Sequence, residues 1–187
     1  MLDFKAVRYV ISCPSREFRP KDQLPEIVFL GKSNVGKSTF INALTGKKIA
    51  FSSKKAGKTK LLNYFIVDEE FYLVDSPGYG YTEYGHREDF SFRDMMEGFF
   101  VDNPFLKGAV MLIDSRRGPS EDDLLMISYI AKNHVPYLLV YTKSDIADQK
   151  ELSRCRTAAI PYAPKAAFFA PRFVTVPDLR KAVLSFL

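Results

Sequence analysis

Gly31-Lys32-Ser33-Asn34-Val35-Gly36-Lys37-Ser38 carries the spacing of a loop that cradles phosphate. The apolar run Ile27-Val28-Phe29-Leu30 precedes it, and Thr39-Phe40-Ile41-Asn42-Ala43-Leu44 follows as a helix stopped near Gly46. A strand, a glycine-rich turn and a helix start aim several backbone N–H groups at one anion. In this pattern Lys37 reaches the outer phosphates and the Ser38 hydroxyl holds Mg²⁺, with Thr39 completing the lining. The chemistry predicted is binding of a nucleoside triphosphate.

Two more clusters stand where strands should end, the usual place for sites in α/β folds. Asp75-Ser76-Pro77-Gly78 follows Phe71-Tyr72-Leu73-Val74. Its carboxylate is suited to Mg²⁺, through water, and the Gly78 N–H to sensing a terminal phosphate. Thr142-Lys143-Ser144-Asp145 follows the apolar stretch 136–141. Asp145 can accept from guanine N1–H and the 2-amino group, a donor pair that adenine does not present. Lys143 would lay its stem along the base and keep its charge outside. Guanine is therefore the expected base.

These clusters need a scaffold, and the chain predicts one. Its 187 residues suit one α/β domain, with residues 1–24 read as a polar arm and 25–187 as the nucleotide-binding domain. Strands are expected at 27–30, 61–67, 71–74, 108–113, 136–141 and 166–169, with a hairpin at Asp68-Glu69-Glu70. Helices are expected at 37–46, 87–100, after Ser120, at 146–160 and from Pro177. Ser120 can cap its helix, and Glu121, Asp122 and Asp123 sit at the positive end of its dipole. Together these predict a three-layer fold, a mostly parallel six-stranded sheet with helices on both faces.

Composition narrows the class further. Two distant cysteines, Cys13 and Cys155, provide neither a metal-spaced pair nor a disulfide framework. No apolar run reaches membrane-spanning length, so a soluble cytoplasmic protein is expected. The net charge is +5, and Lys47 to Lys60 holds six lysines and no acid. That run is either a solvated loop or a contact surface for phosphates or RNA. Tyr79, Tyr81 and Tyr84 interleave with glycines, either to stack on RNA, to meet a protein, or to pack this segment in one state. His86 reads as a surface or helix-start residue, and His134 carries no signal.

The three motifs resemble those of the translation-factor-related GTPases, and most closely the YihA/EngB/YsxC family of bacterial GTPases. Gly57-Lys58-Thr59, Asp75-Ser76-Pro77-Gly78-Tyr79-Gly80-Tyr81, Ile113-Asp114-Ser115-Arg116 and Pro119 share in the likeness, which spans about Leu24 to the last helix. The resemblance implies a phosphate-loop GTPase fold, GTP and GDP as ligands, and Mg²⁺ held by Ser38, Thr59 and Asp75. It also implies a role in assembling the large ribosomal subunit, with ribosomal RNA or a precursor particle as partner, no membrane and no stable oligomer. Family members are also linked to septum formation, so a regulatory GTPase acting through protein contacts is the alternative. A nucleotide-dependent interaction module with negligible turnover is the third reading. Lys37, Thr59 and Asn34 are the candidate catalytic residues, since an asparagine at the Asn34 position coordinates K⁺ in related GTPases; a turn residue is the other reading of Asn34. Tyr79 replaces the glutamine that orients water in signalling GTPases, which predicts slow intrinsic hydrolysis. Thr142 stands where many GTPases carry asparagine, and its hydroxyl can bridge to the phosphate loop. The fifth family motif falls at Phe169-Ala170, where Pro171 offers no N–H, and modest nucleotide affinity is expected.

Overall fold

Parallel strands covered on both faces read as apolar runs, and the strand that feeds the phosphate loop does so from Ile27 to Leu30. In the computed structural model, which describes residues 2–51, 61–80, 87–159, 161, 166–168 and 176–187, β2 (Glu26–Gly31) is buried at every position. Its side chains alternate between two cores. Ile27 and Phe29 face α1 (Lys37–Thr45) and α5 (Val176–Leu184), packing with Phe40, Ile41, Leu44, Leu179 and Val183. Val28 and Leu30 face α2 (Arg87–Phe100) and α3 (Glu121–Lys132), packing with Met96, Phe99, Ile127 and Ile130. Cys155 of α4 (Gln149–Ala159) joins this second core. The result is the expected sandwich of a sheet between two helical layers.

The six expected strands are all present. They are β2, β3 (Leu62–Val67), β4 (Phe71–Asp75), β5 (Leu106–Asp114), β6 (Tyr137–Thr142) and β7 (Ala166–Phe168). β4, β2, β5, β6 and β7 run parallel in that order, and β3 pairs antiparallel with β4. Asp68 and Glu69 turn the β3–β4 hairpin, both at positive φ.

One strand was not expected. β1 (Val7–Cys13) pairs antiparallel with β3 from Val7↔Val67 to Cys13↔Leu62 and makes a seventh strand at the sheet edge. The boundary expected at residue 25 therefore does not separate an arm from the sheet. An irregularity between Tyr9 and Ile11 breaks the two-residue alternation that would have revealed the strand. Residues 15–24 are also tied in: Arg19 donates to the buried Glu26 carboxylate at 3.0 Å, and the Tyr72 hydroxyl to Asp22 at 2.6 Å. Burial pushes the Glu26 carboxyl up, against its hydrogen bonds from Asn103 and Arg19. Helix α4 starts three residues later than expected because Asp148 and Glu151 cap it reciprocally, Glu151 N–H to Asp148 Oδ1 at 2.7 Å and Asp148 N–H to Glu151 Oε2 at 2.9 Å.

Candidate nucleotide site

Three loops leave the carboxyl ends of the parallel strands β4, β2 and β6, the last separated from β2 only by β5, so the sheet brings residues 31–38, 75–79 and 142–145 to one end. The first loop closes on a Val35 N–H to Lys32 O bond of 3.1 Å, and Val35 buries its side chain in the α1-side core. Gly36 takes φ +104° where α1 begins, a conformation that favours glycine. The first turn of α1 carries no acid, so its positive dipole end is left for an anion. Asn34, at φ +62°, fills the turn role open to it.

The second loop is laid against the first. Ser76 bonds the Phe29 carbonyl through its N–H (3.2 Å) and its hydroxyl (2.7 Å), which fixes the exit from β4. Ser33 N–H donates to the Tyr79 carbonyl at 3.0 Å. A Cβ at Gly78 would lie 2.8 Å from Ser33 Cα, so only glycine permits this approach. The Lys37 ammonium pairs with the Asp75 carboxylate, both largely buried. The lysine and the acid assigned to phosphate and Mg²⁺ thus meet at one point. Ser38 is half-buried and follows Lys37 in the first turn of α1. A hydroxyl and a carboxylate are hard oxygen donors of the kind Mg²⁺ takes. Among the described residues no cluster of His, Cys, Asp and Glu could hold a metal by protein ligands alone.

The third loop is bolted to the first. Thr142 Oγ1 donates to the Val35 carbonyl at 2.6 Å, the bridge expected of its hydroxyl. Lys143, at φ +57°, donates from Nζ to the Asn34 carbonyl at 2.9 Å and to Asp114 Oδ2 at 2.9 Å. Ser144 and Asp145 follow in a turn closed by Ile146 N–H to Lys143 O at 3.2 Å, with Asp145 half-buried.

Some residues do other work than expected. Tyr79 turns inward: it is buried and its hydroxyl donates to Asp123 Oδ1 at 2.6 Å. Burial, with the Asp123 charge beside it, raises its pKa far above the phenolic range, so it stays a neutral donor. Of the three tyrosine readings, packing is the one that describes Tyr79. Asp123 also accepts from the Ser120 N–H at 2.8 Å, completing the cap of α3. Lys32 sends its side chain to Asp122 on the same helix, at 2.9 Å. Asp114 and Asp123 are legible in the sequence only within Ile113-Asp114-Ser115-Arg116 and as an acid after the Ser120 cap; their pairing with Lys143 and Tyr79 is not. Gly57, Lys58, Thr59, Tyr81, Tyr84, His86, Phe169 and Ala170 lie outside the described residues.

This fold and these converging loops define a phosphate-loop nucleotide-binding protein. Comparison with known proteins is more specific. The sequence profile described as 50S ribosome-binding GTPase matches residues 26–143. The "Probable GTP-binding protein EngB" of Lactobacillus acidophilus is 41% identical over 154 residues, 82% of this chain and 79% of that protein. Its counterpart in Solibacter usitatus is 44% identical over 147 residues, 78% of this chain and 77% of that protein. A crystal structure of a probable GTP-binding protein engB shares the fold with a TM-score of 0.70 at 22% identity, covering 86% of this chain and 97% of that one. An Era variant from Aquifex aeolicus bound to GDP·AlF4⁻ does so at 0.67 and 23% identity, covering 88% of this chain and 57% of that one. The chain belongs to the EngB/YihA family of GTP-binding proteins, within the 50S ribosome-binding GTPases.

Proposed function

We propose that this protein hydrolyses GTP as a switch in assembly of the large ribosomal subunit, working in the cytoplasm as a monomer. The observation that carries the reading is the bridging of three sequence-distant motifs into one site, Lys37 to Asp75, Thr142 to Val35 and Lys143 to Asn34. The loop 31–38 holds the phosphates, with Lys37 balancing charge on the leaving oxygens. Asp145 reads guanine, and at the fifth motif, Phe169-Ala170, the Ala170 N–H would donate to guanine O6. Mg²⁺, held by Ser38, Asp75 and Thr59, would supply further charge compensation at the phosphates. Gly57-Lys58-Thr59 is the segment of the first switch that supplies Thr59, and K⁺ beside Asn34 would add positive charge of the same kind. Tyr79 is committed to Asp123 and cannot orient water, so intrinsic hydrolysis is slow and the ribosomal surface accelerates it. The lysine-rich run 47–60 provides the basic contact for ribosomal RNA.

Co-sedimentation with purified large subunits tests this reading. Binding that needs a non-hydrolysable GTP analogue and falls steeply with salt is expected, with GTP turnover rising on addition of the particles. Nucleotide-dependent capture of septal proteins without subunit binding would replace it with the cell-division reading. Turnover indifferent to both particles and potassium would leave an interaction module.

A further inference from the structure

Lys143 spans two acceptors, and only the Asn34 carbonyl belongs to the phosphate loop. The other, Asp114, ends β5 directly beside Thr142 of β6. Its carboxylate is oriented before Lys143 is considered. Arg116 donates to Oδ1 from its N–H (3.1 Å) and Nε (3.0 Å), and to Oδ2 from Nη2 at 2.7 Å. The turn that follows is closed by the Asp114 main-chain carbonyl, which accepts from Arg117 and Gly118 N–H at 3.1 and 3.0 Å. The turn therefore leaves most of the carboxylate's capacity to the two cations. Burial pushes the Asp114 carboxyl up, but hydrogen bonds from Arg116 and Lys143 outweigh it and hold the group well below the usual carboxylate range.

A lysine tethered at one acceptor can swing its four-carbon stem, and each rotor lost on binding lowers affinity. Two fixed acceptors remove that freedom in advance. The left-handed backbone at Lys143 makes this anchoring more necessary, because few side chains start from that conformation. We propose that Asp114, clamped by Arg116, is a positioning residue for base recognition: it fixes Lys143 so that its stem lies along the guanine plane. Asp114 sets guanine affinity without touching nucleotide. The inference rests on the guanine-binding reading above.

A double-mutant cycle tests it, with GDP and ADP titrations and melting curves on the full chain carrying Asp114→Asn, Lys143→Met, or both. Asp114→Asn is expected to weaken GDP about tenfold, the size of one lost charge-assisted contact, while the weak ADP binding stays unchanged. In the Lys143→Met background the same change is expected to add nothing. Additive losses, or equal losses for GDP and ADP, would show that Asp114 only supports the loop and would overturn the proposal. Should Asp114→Asn melt before it can be titrated, Arg116→Ala takes its place. It keeps the Asp114–Lys143 pair but frees the carboxylate, and a GDP-selective loss is again expected; no loss counts against the clamp. A parent protein that binds ADP as well as GDP would remove the guanine reading itself, an outcome separable from additivity in the cycle.

Discussion

The Thr142 hydroxyl is the smallest group on which the site depends. It is buried, donates to the Val35 carbonyl at 2.6 Å, and joins two motifs 107 residues apart. Thr142→Val keeps the shape and leaves that carbonyl without its donor. A loss of about 1–2 kcal/mol is expected in urea unfolding, together with weaker GDP binding, because the loop loses its lateral brace. Asp114 yields a pH prediction. Its folded pKa is depressed, so its contribution to stability is fully present above the unfolded value of about 3.9 and is lost only as pH falls through the lower folded one. The melting-temperature gap between parent and Asp114→Asn should be constant from about pH 8 to pH 5 and shrink below about pH 4. At this scale the sequence was most legible where a motif is contiguous. Lys37, Asp75 and Asp145 stand out by spacing alone. Asp114's link to Lys143 does not, because it joins adjacent strands 29 residues apart in the chain and has no local pattern.

At the scale of elements, the second loop and helix α3 are one mechanical unit. Tyr79 and Lys32 both end on the first turn of α3, at Asp123 and Asp122. Tyr79→Phe would leave one buried oxygen of Asp123 short of a donor. Destabilisation of about 1–3 kcal/mol with an unchanged urea dependence is expected. Gly78→Ala would drive a methyl into the Ser33 backbone, so the second loop must back away from the first. GTP hydrolysis is expected to collapse while GDP binding survives; equal turnover in single-turnover assays would show that this contact is not needed. Element boundaries were legible where caps are local, as at Ser120. They slipped at α4, whose cap lies at Asp148, and β1 was missed because its exposed residues and broken alternation resemble a polar segment. The sequence leaves Tyr79 open between RNA, a protein and internal packing, because the partner that turns it inward, Asp123, lies 44 residues on.

At the scale of the whole molecule, the sheet order does the integrating. Placing β2 between β4 and β5, with β6 next, brings three loops to one end of the sheet, while two apolar cores hold the strands from either side. The net charge of +5 and the run from Lys47 to Lys60 suit a polyanionic partner. The mostly parallel sheet with helices on both faces is readable because strands and helices alternate along the chain, whereas the strand order comes from the structure alone. Selectivity for guanine is the property on which the rest depends. Equilibrium titration with fluorescent GTP, GDP and ATP analogues, on the parent and on Asp145→Asn, measures it. Binding of the guanine analogues alone is expected, with a loss of at least about tenfold in the variant, because Asp145 is the proposed acceptor of both guanine donors. Equal binding of ATP, or a variant indistinguishable from the parent, would contradict it.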